Sequence, residues 1–267
     1  MQSPLFLIAC FAVSDLVAPP PKVAPKPAAV VDAGSSASQA PDAGSPRSDI
    51  GAPPAPAAAA KPMEPAVKAL VERMQAFYEK TQDFTADFQQ SYAYAGFKKV
   101  QQSSGKVTFR KPALMRWEYA KPSPKTFVLA GDKVYAHDPE AMTLTKASIA
   151  TNQLSASVTF LWGQGKLADE FSIAKVACEK CTGTLLELTP LKPDPRFRVV
   201  RLEVDPVSAQ VVKSVVVDPD GSTNSIAFGK LTTNTGIDEK AFKLSPPEGT
   251  QVVDYTAPHA PAPAPKP

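Results

Sequence analysis

Lys106-Val107-Thr108-Phe109-Arg110-Lys111-Pro112-Ala113-Leu114-Met115-Arg116-Trp117-Glu118-Tyr119 is the stretch on which the fold turns. It contains two strand-like runs, Lys106–Arg110 and Met115–Ala120. The first stops before Lys111-Pro112 and the second before Lys121-Pro122. Proline has no N–H to donate to a ladder, so each Lys-Pro marks a strand end. Upstream, Phe84, Ala86, Phe88, Gln90 and Tyr92 alternate with polar residues, the period of a half-buried strand. Before them Val67, Leu70, Val71, Met74, Phe77 and Tyr78 recur at helical spacing, and Pro65 suits a helix start, which predicts a helix over 65–80. Downstream, runs at 125–129, 133–137, 142–147, 171–176, 184–189, 197–204, 211–217 and 222–228 are each bounded by turn chemistry. The clearest turn is Asp218-Pro219-Asp220-Gly221, with proline at a central position and a glycine that tolerates positive φ. About ten strands in local order predict an antiparallel sheet or open barrel. One segment breaks the pattern: Ile149–Leu167 carries Leu154, Val158, Leu161 and Trp162 at helical spacing and ends at Gly163-Gln164-Gly165. Asp238–Phe242 reads as a further helical turn. The expected class is mainly β with helices lying across one face of the sheet.

Proline divides the chain. Of 29 prolines in 267 residues, eleven fall in 18–62 and five in the last stretch, 256–267, while only twelve fall between Met63 and Tyr255. The reading is a signal-like segment at 1–17, a disordered Pro/Ala-rich linker at 18–62, one folded domain at 63–255 and a disordered tail at 256–267. No apolar run approaches the roughly 18–20 residues of a spanning helix. The domain carries 24 Lys and Arg against 22 Asp and Glu, scattered rather than striped. That balance argues against a nucleic-acid partner.

Leu7-Ile8-Ala9-Cys10 resembles a bacterial lipobox, in which the cysteine is lipidated, and the proline-rich arm after it suits a tether. The apolar run is short and no basic residue precedes Cys10. Two readings therefore stand: a lipid anchor at Cys10, or a degenerate or truncated signal on an otherwise soluble protein. Both place the domain outside the cytosol. Cys178 and Cys181 form a CxxC between two strand-like runs. Zinc would need four ligands, and the only histidines are His137 and His259. A redox motif would open a helix after a strand. The favoured reading is a disulfide stapling a hairpin loop, in keeping with an oxidising compartment.

Catalytic signals are missing. There is no Gly-x-Ser-x-Gly, no glycine-rich phosphate loop and no His-Glu-x-x-His. His137, in Ala136-His137-Asp138-Pro139, reads as a surface histidine. No metal or cofactor is called for. The informative residues are apolar: Phe84, Phe88, Tyr92, Phe109, Met115, Trp117, Tyr119, Phe127 and Leu129 on the early strands, and Phe160, Leu161 and Trp162 on the inserted helical segment. Residues at this period are ordinarily core, but a curved sheet closed by a few helical turns leaves a concave apolar space suited to lipid.

Ser103-Ser104-Gly105, the strand, Lys111-Pro112 and then Met115 and Trp117 two apart together resemble the signature of the periplasmic outer-membrane lipoprotein carrier proteins. Phe84-Thr85-Ala86-Asp87-Phe88-Gln89-Gln90 is similar to that family's first strand, and Ala130-Gly131-Asp132-Lys133-Val134-Tyr135-Ala136-His137-Asp138-Pro139 to its hairpin. Asp218–Gly221 with Ser225-Ile226-Ala227-Phe228, and Phe242 with Pro246-Pro247-Glu248-Gly249, resemble its C-terminal half. The resemblance implies an open, strongly curved antiparallel sheet, an unclosed barrel, with an α-helical lid over an apolar cavity for lipoprotein acyl chains. Phe88, Phe109, Met115, Trp117 and Leu129 would line the cavity, and Leu154, Val158, Leu161 and Trp162 would form the lid. The family's lid is held by an arginine before the signature proline. Here that position is Lys111, with Arg110 one earlier on the other face of the strand. Lysine cannot form arginine's fork, so either Lys111 latches the lid through one ammonium or the lid closes by packing alone.

The expected function is non-catalytic: a monomer that holds lipoprotein acyl chains and hands them across the periplasm toward the outer membrane. An inner-membrane release complex and an outer-membrane acceptor would be its further partners. A membrane-tethered acceptor anchored through Cys10, or an envelope sensor on the same fold, is the alternative, and a lipid-acting enzyme the lesser one.

Overall fold

The computed structural model describes residues 63–97, 99–148 and 166–256. Cys10, the arm at 18–62, the tail beyond residue 256 and the lid residues Leu154, Val158, Leu161 and Trp162 lie outside them. The helical period at the start of the domain produces α1 (Pro65–Lys80), which buries Val67, Leu70, Val71, Met74 and Tyr78. Proline occupies its first turn, where no N–H is missed. Thr81 ends it, donating through both its N–H and its hydroxyl to the Phe77 carbonyl.

Strands follow as β1 (Asp83–Ala93), β2 (Val100–Arg110), β3 (Leu114–Lys121), β4 (Lys125–Ala130), β5 (Lys133–Asp138) and β6 (Thr143–Ser148). After the short helix α2 (Leu167–Glu170) come β7 (Phe171–Val176), β8 (Thr184–Pro190), β9 (Val199–Val204), β10 (Val211–Val217) and β11 (Thr223–Phe228). The two-residue β12 (Thr232–Thr233), a 3₁₀ turn (Glu239–Phe242) and β13 (Gln251–Asp254) complete the order among the described residues. These thirteen strands make one sheet, ordered β13-β6-β5-β4-β3-β2-β1-β11-β10-β9-β8-β7, with β12 also on β1. It is open and curved, with β13 and β7 at its edges, and is not closed into a barrel.

Local order holds within each half, but one meander does not describe the whole. β11 returns to pair with β1, with Phe88 opposite Phe228 on one side and Gly105 on the other. The first strand therefore lies mid-sheet, where both of its backbone edges are paired. β13 is parallel to β6, whereas β1 runs antiparallel to both of its neighbours and β2 to β3.

One face of the sheet and the buried side of α1 share a single apolar core. The opposite face is strapped by the chain after β11. There the buried Asp83 carboxylate accepts from Thr235 N at 2.8 Å, Gly236 N at 2.9 Å and the Thr235 hydroxyl at 3.2 Å. The 3₁₀ turn packs on β3 and β4, and Arg116 donates to the Ala241 carbonyl at 3.0 Å. Val128, Leu144 and Phe242 are buried outside the main core cluster. Cys178 and Cys181 are joined in the loop between β7 and β8, with Cα atoms 5.5 Å apart.

Candidate functional site

The five residues expected to line an apolar site share one face. Phe109, Met115 and Leu129 stand opposite one another across β2, β3 and β4. Trp117 is two residues from Met115 on the same side of β3, since side chains repeat every second residue. Phe88 lies on β1, and its ring meets Trp117 edge-on with centroids 4.8 Å apart. None of the five is more than 5 % exposed. Met74 and Tyr78 of α1 belong to the same core, so the helix covers this concave face.

Two further aromatics extend it. Tyr119 packs edge-on against Phe88 at 5.0 Å and Phe127 at 5.7 Å, and Phe228 lies 6.4 Å from Trp117. Beyond them the face turns polar. The Tyr119 hydroxyl donates to Gln90 Oε1 at 3.0 Å, and Gln90 Nε2 donates to Asn224 Oδ1 at 2.9 Å. Gln90 and Asn224 were absent from the expected site. The available signal was Gln90 itself, a polar residue on the apolar phase of β1. Its partner lies 134 residues away, and local periodicity cannot find it.

Lys111 and Arg110 diverge at the end of β2. Lys111 Nζ donates to the carbonyls of Tyr78 at 2.9 Å and Glu79 at 2.7 Å, the last turn of α1. Arg110 reaches the other side, to the Ile237 carbonyl at 3.0 Å and the Glu239 carboxylate at 3.3 Å. Lys111 thus holds α1, and Arg110 holds the C-terminal strap; the expected partner, the segment around Leu154–Trp162, lies outside the described residues. Burial lowers the Lys111 ammonium below its ordinary pKa, and Glu79 offsets this only in part.

Two grooves flank the core. One, of about 550 Å³, opens between α1 and β7, with Val71, Phe171 and Ile173 inside and Glu72 and Glu79 among its polar residues. The other, of about 730 Å³, joins Asp87, Gln89, Lys106 and Glu118, which alternate onto the opposite face of the sheet, with Phe88, Tyr119 and Phe228. Among the described residues no cluster of His, Cys, Asp and Glu could hold a metal ion. His137 stands on that outer face, half-buried, and its buried Nε2 has no hydrogen bond to any described residue.

Residues 79–245 match the family model described as outer membrane lipoprotein carrier protein LolA. The chain is 32 % identical over 168 residues to the outer-membrane lipoprotein carrier protein of Dechloromonas aromatica, covering 63 % of this chain and 79 % of the relative. It is 27 % identical over 172 residues to the protein of the same name from Chromohalobacter salexigens, covering 64 % and 80 %. Among solved structures, an uncharacterized conserved protein from Thermus thermophilus aligns with a TM-score of 0.46 at 13 % identity, over 70 % of this chain and 98 % of that one. With its open sheet, its covered apolar face and a match that runs from the end of α1 past the 3₁₀ turn, the chain belongs to the outer-membrane lipoprotein carrier protein family.

Proposed function

We propose that this protein binds the acyl chains of lipoproteins on its concave face and hands them across the periplasm toward the outer membrane without catalysis. One observation carries the reading: Phe88, Phe109, Met115, Trp117 and Leu129 form a continuous apolar surface on four neighbouring strands. Burial contributes about 0.8 kcal/mol per CH₂, so a few partly buried chains hold cargo firmly yet leave it transferable to a stronger site. Transfer needs only differential affinity. Ligand entry requires the cover to move, and the groove between α1 and β7 is an opening beside that core. Cargo would come from an inner-membrane release complex and pass to an outer-membrane acceptor, with the carrier acting as a monomer.

Titration with a diacylated lipopeptide tests this in a Trp162→Phe background, where Trp117 is the sole tryptophan. Trp117 emission should shift, and native mass spectrometry should show the lipid retained. No shift and no retained lipid would refute acyl binding. The lipobox-like Leu7-Ile8-Ala9-Cys10 and the proline-rich arm favour a second reading, a membrane-tethered acceptor. The mass of the mature N-terminal peptide from native membranes distinguishes the two: a lipidated Cys10 supports the tether, an unmodified or cleaved terminus the free carrier.

A further inference from the structure

The hairpin that joins β1 to β2 holds an aromatic ring out in water. Phe97 is 76 % exposed, and Val100, three residues on, is 56 % exposed. The tip that carries them is built and braced. Gly96 turns the chain at φ 75°. Phe97 N donates to the Tyr94 carbonyl and Tyr94 N to the Lys99 carbonyl, both at 3.3 Å. Ala95 N donates to the Ser222 hydroxyl at 3.0 Å, so the β10–β11 turn supports the hairpin from the side. Behind the apex, the Tyr94 ring packs on Tyr92 with centroids 4.6 Å apart, and the Lys99 ammonium lies 5.8 Å from the Tyr94 ring centre.

Charge at the tip has one sign. Lys98 and Lys99 follow Phe97, and no acidic residue occurs between Tyr92 and Gln102. The bracing turn carries two carboxylates, and both are engaged. Asp218 accepts from the Tyr92 hydroxyl at 2.8 Å, and Asp220 accepts from Ser222 N at 2.8 Å and the Ser222 hydroxyl at 3.0 Å. They offset part of the lysines' attraction for an anion, which leaves the apolar apex as the main term. A ring at the apex, lysines beside it and tyrosines behind it match the layers of a membrane–water interface: hydrocarbon, phosphate and headgroup. A protein partner fits less well. Stable protein interfaces bury roughly 1,200–2,000 Å², and the other exposed apolar side chains do not enlarge this patch. Met142 and Val252 lie four and five strands along the sheet from β2, and Val207 and Tyr255 lie at its opposite end.

We infer that the β1–β2 hairpin docks on the surface of a phospholipid bilayer, with Phe97 inserted at the headgroup–acyl boundary and Lys98 and Lys99 at the phosphates. One ring and two lysines give a weak, reversible contact, as single anchors do. The contact also orients the domain. The Tyr92 end of β1 would face the bilayer, and the Lys111 end of β2 would point away from it. The inference does not depend on acyl binding, because the tip lies beyond the residues that line the concave face.

The test is co-sedimentation at low salt, using the full chain with Cys10→Ser so that no attached lipid contributes. One set of vesicles contains equal parts phosphatidylcholine and phosphatidylglycerol, the other phosphatidylcholine alone. The protein should partition onto both, and more strongly onto the anionic set. Phe97→Ser should lower partitioning about tenfold on either. Lys99→Glu should lower it several-fold on the anionic vesicles only. Val207→Ser removes a side chain at least as exposed, at the other end of the sheet, and should leave partitioning unchanged. Circular dichroism confirms that each variant is folded. Diacylated lipopeptide binding, measured without vesicles, should be the same with and without Phe97→Ser, which separates the tip from the concave face. Absence of partitioning before any tip substitution overturns the inference and would leave a protein as what the tip meets. Undiminished partitioning of Phe97→Ser, or an equal loss in Val207→Ser, overturns it as well.

Discussion

The Lys111 ammonium lies 2.7 Å from the carbonyl oxygen of Glu79, and this contact ties the end of β2 to the last turn of α1. The final carbonyls of a helix have no partner within it, and a cation there also opposes the helix dipole favourably. The Tyr78 carbonyl takes a second bond from the same nitrogen. Lys111→Met keeps the apolar stem and removes both donors. It should lower stability by about 1–3 kcal/mol, read as a urea midpoint shift, because burial of the charge takes back part of the gain. If α1 is the movable cover, the variant should also exchange bound lipopeptide faster. A wild-type midpoint with wild-type exchange would show that the contact holds nothing.

Asp83 should make the fold acid-sensitive. Burial alone would raise its pKa, but donors from Thr235, Gly236 and Ile237 outweigh that and hold it below the ordinary value of 3.8. A carboxylate depressed in the folded state contributes stability above its unfolded pKa and loses it as pH falls through the folded one. The contribution should therefore be intact at neutral pH and fade from about pH 4 downward. Asp83→Asn should lower the midpoint at pH 7, and the gap from wild type should narrow on acidification. Asp138 and Asp194 are also depressed, so the difference between the two proteins is the informative quantity. A gap that stays constant between about pH 7 and pH 3 would contradict the assignment.

Much of this fold is legible because its signals are local. The spacing of Val67, Leu70, Val71 and Met74 sets the buried side of α1. The alternation Phe84, Ala86, Phe88 sets the concave face, and two-residue periodicity carries Phe109, Met115, Trp117 and Leu129 onto it. Asp218-Pro219-Asp220-Gly221 is closed as its residues imply, with Gly221 at φ 91° donating to the Asp218 carbonyl. What stays hidden is long-range. β13 pairs in parallel with β6 from the far end of the domain, and its mostly exposed side chains leave no apolar pattern. The return of β11 to β1 is a choice among strand edges that no single strand encodes. Asp83 reads as an ordinary strand-start carboxylate until the turn 152 residues later is folded against it. The polar end of the site is hidden for the same reason: Gln90 and Asn224 acquire a role only as a pair.

Phe88 is the residue through which the apolar and polar parts of the site meet. It is 2 % exposed and touches the rings of both Trp117 and Tyr119. Phe88→Ala should cost about 3–5 kcal/mol in denaturant unfolding, since the space sits between strands that cannot close on it. The lost ring also frees the Trp117 indole, so its emission should move toward the red in the absence of lipid. A stability loss under about 1 kcal/mol with unchanged emission would mean that the concave face repacks freely, and that these contacts do not shape it.

Gly105 makes the sharpest test of how β2 and β3 meet. The ladder shifts register between Ser104 and Gly105, and the β3 backbone passes close to Gly105. A Cβ on Gly105 would lie 1.9 Å from the Glu118 carbonyl oxygen, 2.8 Å from its carbon and 2.9 Å from the Tyr119 Cα. All three are backbone atoms of a strand hydrogen-bonded on both sides, so none can swing away as a side-chain end would. Gly105→Ala should therefore destabilise by about 3 kcal/mol or more, through separation of β2 from β3 rather than loss of any contact. Gly229 provides the control within the same sheet region. Its added Cβ would meet Asp87 at 3.5 Å or beyond, ordinary contact distance, so Gly229→Ala should stay within about 0.5 kcal/mol of wild type. Because Gly105 lies opposite both Phe88 and Tyr119, the damage should reach the site: Gly105→Ala should weaken lipopeptide binding, and Gly229→Ala should not. Equal urea midpoints for the two variants would show that the close approach of the strands is not what reserves this position for glycine.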